Sequence, residues 1–267
     1  MSVSAARQSA LGPVLLALDT ATERIHAALS IGSGASARTT VIDLPGGAQA
    51  SSTLLPALSG LLADAGLAWP ALDALAFGAG PGAFTGLRTA CATVQGLALG
   101  LDVPVLALDT LMAVAEDARL GCQLDLTQPV WALQDARMGE LYAAAFQWDA
   151  AAGAWQPTAA PQLWPLTHAL SVVIPGVQWA GNAMQADAAL LAPLADGRRG
   201  GLSSALLDPV AAPRGAALAN LARAAWARGE AVDAALALPR YVRDKVAQTT
   251  AERQQPSQQA AAGLAPA

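Results

Sequence analysis

An α/β fold is what the sequence predicts, and three observations predict it. The chain opens with three short apolar or β-branched segments separated by polar turns, the pattern of an antiparallel meander. Strand-length apolar runs then alternate with segments of helical period, which is the signature of parallel strands joined by crossover helices. Hydrophobic residues reach 54% against 13% charged, enough to fill cores throughout a chain of 267 residues. Domains usually hold about 100 to 200 residues, so two modest units are expected.

Val14 to Asp19 is an apolar strand, Thr20 to Arg24 a polar turn, and Ile25 to Ile31 a second strand, together a hairpin. Gly32 to Ser36 turns the chain into Arg38 to Leu44, where β-branched Thr39, Thr40, Val41 and Ile42 mark a third strand ended by Pro45-Gly46-Gly47. A helix follows, with Ser51 or Ser52 as N-cap, Pro56 near its first turn, and leucines at helical spacing as far as Gly66. Leu72 to Phe77 is a buried strand. A glycine-dense loop, Gly78 to Gly86, opens a helix over Leu87 to Leu101, and Val103 to Leu108 is the next strand. The resulting β-β-β-α-β-α-β is the order of the ribonuclease H-like fold.

Asp109 to Arg119 is helical and leads into a second region. Pro129 to Gln134 and Glu140 to Trp148 are strands joined around Arg137-Met138-Gly139. Trp155 to Pro165 reads as loop, Val177 to Ala180 as a strand, and Pro213 to Arg228 as an amphipathic helix. The expected organisation is a flexible N-terminus at 1–12, an N-terminal lobe at 13–110, a C-terminal lobe at 111–247 and a disordered tail at 248–267. The last helix is free to pack back on the first lobe.

Several chemistries are disfavoured at once. A net charge of -5, with no basic run longer than Arg198-Arg199, argues against nucleic-acid binding by this chain alone. The longest apolar stretch, Gly96 to Leu108, is interrupted by Asp102 and Pro104, short of the ~20 residues of a membrane helix. Met1 to Gly12 lacks the apolar core of a signal peptide, so a cytoplasmic protein is expected. Cys91 and Cys122, in apolar surroundings, are expected to be reduced. The only histidines, His26 and His168, are too far apart in sequence for a metal motif, and no nucleophile elbow exists. No catalytic residue and no metal ligand is therefore assigned, and a lone strand histidine such as His26 reads as packing or surface.

Three features carry candidate sites. Gly78, Gly80 and Gly82 lie where a strand turns into a helix, a place where backbone N–H groups can gather an anion. The loop lacks the Lys-Ser/Thr of a P-loop and has Ala83 where a dinucleotide fingerprint needs glycine, so the competing reading is a tight turn that lets the helix approach the sheet. Asp19, Thr20 and Thr22, with Gly80 and Gly82, are the positions that would face a phosphate in actin-like ATPases, although Asp and Thr are also ordinary turn residues. Asp135 and Arg137 either line a cleft between lobes or form the polar corner of a hairpin whose Gly139 takes a positive φ. The helix Leu87 to Leu101 has only Arg88 and Gln95 as strongly polar residues, and Gly96, Ala98 and Gly100 would admit a neighbouring helix. An interface is thus expected on the two N-terminal helices, with Leu54, Leu55, Leu58, Leu61, Leu62, Ala90, Val94 and Leu97 as its residues.

Gly80-Pro81-Gly82-Ala83-Phe84-Thr85-Gly86-Leu87-Arg88, followed by Gln95-Gly96-Leu97-Ala98, closely resembles the signature of the TsaB (YeaZ) family. Leu16 to Thr22, Gln134 to Tyr142 and Pro239 to Ala247 are similar to further stretches of that family, in the same order. The resemblance implies a two-lobed actin/Hsp70/sugar-kinase-like α/β fold, each lobe a mixed sheet flanked by helices. It also implies a non-catalytic subunit needed for threonylcarbamoylation of tRNA adenosine at position 37. By the same resemblance the partner is the paralogous transferase TsaD, joined by the ATPase TsaE. Pairing, with TsaD or as a homodimer, runs through N-lobe helices that map to Ser52 to Gly66 and Leu87 to Leu101. Transfer RNA is met only through the complex, no cofactor is required, and ATP or ADP at the heterodimer interface remains open. The metal-binding H-x-x-x-H pair of TsaD has no counterpart here, since Gln49 to Pro56 contains no histidine. Two other readings stay open: a stand-alone actin-like ATPase or small-molecule kinase using Asp19, Thr20 and the glycine loop, and, last, an M22-like peptidase.

Overall fold

The computed structural model describes residues 12–47, 50–121, 124–171, 178–189, 198–199, 202–203, 205–208 and 210–243. The expected tail at 248–267 and most of the N-terminal 1–12 fall outside these residues, as does Cys122.

Strands β1 (Val14–Asp19), β2 (Arg24–Ile31) and β3 (Arg38–Pro45) form the expected meander. Helix α1 (Ala50–Asp64), β4 (Ala74–Gly78), α2 (Phe84–Leu101) and β5 (Val105–Leu108) complete the first unit. Its sheet has the order β3-β2-β1-β4-β5, antiparallel through β3-β2-β1 and parallel through β1-β4-β5. The continuous apolar run of β1 follows from its position, because side chains alternate between faces and both faces are covered. Val14, Leu16 and Leu18 pack with α1 and α2, while Leu15 and Ala17 join a core on the opposite face. Helix α1 begins at Ala50, so Ser51 and Ser52 stand inside its first turn instead of capping it.

Helix α3 (Thr110–Gly121) leads to β6 (Val130–Arg137), β7 (Glu140–Asp149) and β8 (Ala154–Pro165). Helix α4 (Leu166–Ser171), β9 (Gln178–Ala180), the short pair β10 (Arg198–Arg199) and β11 (Leu202–Ser203), β12 (Ala205–Asp208) and helix α5 (Gly215–Ala227) follow. The second sheet has the order β12-β9-β6-β7-β8. Trp155 to Pro165 is thus a long edge strand and not a loop, paired antiparallel with β7 from Trp148 opposite Trp155 to Glu140 opposite Pro165. Three prolines, at 157, 161 and 165, hide it from pattern reading. They are tolerated because an edge strand pairs on one side only and its register with β7 is broken by bulges.

Helix α5 packs against β1, β2 and β3 of the first sheet and against α3. Helices α3 and α5 form the layer between the sheets, and one apolar cluster runs from Leu15 and Leu106 through Val114 and Leu218 to Val130 and Phe146. After α5 the chain returns over the first unit: Val232 exchanges backbone hydrogen bonds with Val105, and the Arg240 N–H donates to the Ala79 carbonyl at 2.6 Å. This terminal strap supplies part of the cover that the apolar helix α2 requires. Gln95 Nε2 donates to the carbonyls of Ala234 and Ala237, Cys91 Sγ to that of Ala237, and Arg88 Nε to the Tyr241 hydroxyl.

Candidate functional site

A cleft of about 550 Å³ lies between the two sheets. Its walls are the turn after β1, the start of α2, the β6–β7 corner and the terminal strap. The corner is a tight two-residue hairpin in which Arg137, Met138 and Gly139 all take positive φ, and Asp135 accepts from the Arg137 N–H at 2.8 Å. Asp135 and Arg137 therefore fill both roles offered by the sequence, hairpin corner and cleft wall. Arg137 also donates to Glu23 at 2.8 Å, an exposed clasp from the second unit to the first.

Five arginines line the cleft against three carboxylates, in a chain whose net charge is negative. Most are paired. Arg24 bonds Asp43, Arg214 bonds Asp117 at 2.5 Å, and Arg243 bonds Glu140 at 2.5 Å. Arg240 makes no ion pair among the described residues; its charge acts on Asp109, which burial otherwise pushes up.

The expected phosphate-facing positions divide. Thr22 and Gly82 line the cleft, whereas Asp19, Thr20 and Gly80 do not. Asp19 and Thr20 are turned into the protein: the Ala21 N–H and the Thr110 hydroxyl donate to Asp19, and the Thr20 hydroxyl donates to the Gly86 carbonyl at 2.7 Å. A Cβ at Gly78 would overlap the Asp19 carboxylate and one at Gly86 would overlap the Thr20 carbonyl. At Gly80 a Cβ would meet the Arg240 carbonyl at 2.6 Å. The glycines exist so that this chain can pack against itself, and the assignment of Asp19, Thr20 and Gly80 to a phosphate is corrected on that ground.

The interface assignment is corrected as well. Leu54, Leu58, Leu61, Leu62, Ala90 and Val94 lie in the core under α1 and α2, and Leu97 packs partly against it. Of the eight, only Leu55 is largely exposed, at 45%. Regular helical spacing picks out the buried stripe of a helix, so it selected the face opposite to the free one. On the free face stand Leu99, 81% exposed, and Gly60, Gly96 and Gly100, beside which an added Cβ would meet nothing within 4 Å among the described residues.

Two buried groups at the first hairpin have opposed titrations. Burial pushes the Asp19 carboxyl up to about 6, against the Ala21 and Thr110 donors. Burial pushes His26 down to about 4, with Asp43 pulling upward and Arg214 and Arg24 adding to the fall. A raised carboxyl stabilises the fold below about pH 4 and loses that contribution as pH rises to about 6. A depressed imidazole stabilises it above about pH 6.5 and loses that contribution as pH falls to about 4. The two effects oppose over the same window, each on the order of 3 kcal/mol. Asp19→Asn is therefore expected to make the chain markedly more acid-labile than the parent between pH 6.5 and 4, and His26→Gln less so. Urea unfolding at pH 7 and pH 4.5 checks this; equal pH slopes in the parent and both variants would overturn it.

Among the described residues no three His, Cys, Asp or Glu side chains gather as metal ligands, and no helix is long and apolar enough to cross a membrane. Cys91 is a buried free thiol that burial pushes up. Sequence reasoning passed over Gln134, Arg214, Arg240 and Arg243 as site residues. Gln134, Arg240 and Arg243 lie inside the stretches that carried the family resemblance, which was the available signal.

Two mixed sheets flanked by helices, with a cleft between them, define a two-lobed α/β protein of the actin/Hsp70/sugar-kinase class. A family model described as TsaD: tRNA N6-adenosine threonylcarbamoyltransferase matches residues 45–187, just over half of the chain. The tRNA threonylcarbamoyladenosine biosynthesis protein TsaB of Haemophilus influenzae is 42% identical over 130 residues, which is 48% of this chain and 51% of that protein. The protein of the same name from Escherichia coli is 36% identical over 135 residues, 51% and 55% of the two chains. This chain thus spans about half the length of the curated relatives it matches. A solved structure, an uncharacterized Pseudomonas aeruginosa protein with similarity to peptidase YeaZ, superposes with a TM-score of 0.70 at 34% identity, over 86% of this chain and all of that one. The chain belongs to the TsaB (YeaZ) family.

Proposed function

We propose that this chain is the non-catalytic partner subunit of a tRNA threonylcarbamoyladenosine apparatus, pairing with a TsaD-type transferase through the outer faces of α1 and α2 and so holding it in its active form. The observation that carries the reading is the set of three glycines inside these helices. A helix-interior glycine costs about 1 kcal/mol relative to alanine, yet a Cβ added at Gly60, Gly96 or Gly100 would meet nothing within 4 Å among the described residues. Absent side chains on an outer helix face let a second helix approach closely, and exposed Leu55 and Leu99 on the same two helices add apolar area. The relatives' names, which place them in tRNA threonylcarbamoyladenosine biosynthesis, and the match to a TsaD-type family model support the choice of such a transferase as the proposed partner. Recruitment of TsaE, nucleotide at the shared interface, indirect contact with tRNA and a cytoplasmic location belong to the same proposal.

The test is light scattering on a sizing column, with this chain alone and mixed with the same organism's TsaD, with and without ATP. A stable one-to-one complex is expected, replacing any self-dimer. Gly96→Leu should remain as stable as the parent, because its side chain enters open space, and should lose the complex. Separate elution of the two parent proteins under every condition would sink the reading and make ATP turnover by the isolated chain the next measurement.

A further inference from the structure

The terminal strap presents leucines that the core of the first unit does not use. Among the described residues nine large hydrophobic side chains are exposed, and three of them, Leu99, Leu236 and Leu238, stand on α2 and on the strap beside it. Leu236 and Leu238 are 70% and 63% exposed, whereas Ala237 between them is 1% exposed. The backbone is extended at Ala237, so neighbouring side chains point to opposite sides. Ala237 faces the apolar cluster under α2, and the two leucines face away from it.

This segment is tied down along its length. Val232 and Val105 exchange two backbone hydrogen bonds, both of 2.8 Å, and the Arg240 N–H is held by the Ala79 carbonyl. Between these points Asp233 accepts from the Ala235 N–H at 2.8 Å, and Gln95 and Cys91 of α2 bond the carbonyls of Ala234 and Ala237. Two leucines are thus held in water by a backbone that is already ordered. Burying them against another molecule would remove apolar area from water with little further loss of chain entropy. Their position indicates which molecule. Helix residues three, four and seven apart share a face, so Arg88, Cys91, Gln95 and Leu99 form one stripe of α2. The first three bond the strap at Tyr241, Ala237 and Ala234, so the strap runs antiparallel to the helix. Leu99 continues the stripe one turn further, and Gly96 and Gly100 are the next residues round the helix. The strap leucines and the glycine face of α2 are therefore parts of one continuous surface.

We infer that the terminal strap is a third element of the pairing surface beside α1 and α2, and that Leu236 and Leu238 are buried in an uncharged, apolar patch of the transferase partner. The identity of that partner rests on the reading given under Proposed function. What the strap adds is a segment more than 130 residues along the chain from Leu99, joined to the helical face only by the fold.

The experiment is calorimetric titration of the same organism's TsaD into the full chain, comparing the parent with the double variant Leu236→Ser/Leu238→Ser. Leu120→Ser is the control, at a leucine 47% exposed near the end of α3, on the opposite side of the first sheet. The double variant is expected to bind at least tenfold more weakly, and Leu120→Ser as tightly as the parent. All three should melt at one temperature, since each substituted side chain stands largely in water. Parent affinity in the double variant, or a loss confined to self-association of this chain, would overturn the inference and leave the helix pairing standing, which Gly96→Leu tests separately. Failure of the parent itself to bind would remove the partner-subunit reading, and the inference with it. Hydrogen exchange on the parent supplies a second readout that needs no variant and serves if the double variant melts low. Amides of residues 234–238 are expected to exchange more slowly in the complex, and unchanged rates there would overturn the inference.

Discussion

Leu58→Asp is expected to yield no folded chain. Leu58 is fully buried in the cluster beneath α1, among Leu54, Leu61, Leu62 and Phe77. Truncating such a leucine costs about 2–5 kcal/mol. An aspartate adds an unpaired carboxylate in an apolar site, which costs several kcal/mol more. The sum rivals the whole stability of an ordinary domain, about 5–15 kcal/mol. Soluble yield and near-ultraviolet circular dichroism report the outcome. Leu99→Asp is the counterpart: at 81% exposure its effect on stability should stay within about 0.5 kcal/mol, and its effect on pairing should be large. A folded Leu58→Asp chain that merely fails to pair would reverse the assignment of the two helix faces.

The second large effect is expected at Glu116. This nearly buried carboxylate on α3 accepts from Arg119 Nε and Nη2, both at 2.7 Å, from Trp155 Nε1 at 3.0 Å and from Asn220 Nδ2 at 2.6 Å. Asn220 in turn accepts from Arg223, which donates to Ser30 at 2.7 Å and Thr39 at 3.0 Å. One polar chain therefore runs from the edge strand β8 through α3 and α5 to β2 and β3. Glu116→Ala removes the acceptor for four donors and leaves the guanidinium beside Trp148 without its anion. Breaking a buried charged pair in this way costs about 3–5 kcal/mol. For a chain of this size that corresponds to a fall in Tm of roughly 10 °C. Urea unfolding and thermal melts measure it. A loss below about 1 kcal/mol would show that the network does not join the two sheets.

Much of the first unit was legible because its signals are local. The apolar runs at Val14–Asp19 and Ala74–Gly78, the β-branched Thr39 to Ile42 and the glycine-dense loop each state their structure within a few residues. The edge strand Ala154–Pro165 was not legible, because its prolines read as loop until its one-sided pairing with β7 is seen. The candidate sites show the same division. Asp19 and Thr20 have the residue types of a phosphate loop, but their orientation is fixed by Thr110 and Gly86, which lie 91 and 66 residues away.

By itself the sequence determined the α/β order, the family and the existence of the two N-terminal helices, since these follow from periodicity, turn residues and contiguous motifs. Only the tertiary structure decided which face of α1 and α2 is free, that the glycine loop is packed against its own chain, and that His26, Gln134, Arg240 and Arg243 meet in one cleft. The physical reason is that burial and hydrogen-bond satisfaction are properties of contacts between residues far apart in the chain. His26 and Arg243 are strangers in sequence, and only the return of the terminal strap over the first unit makes them neighbours of one cavity.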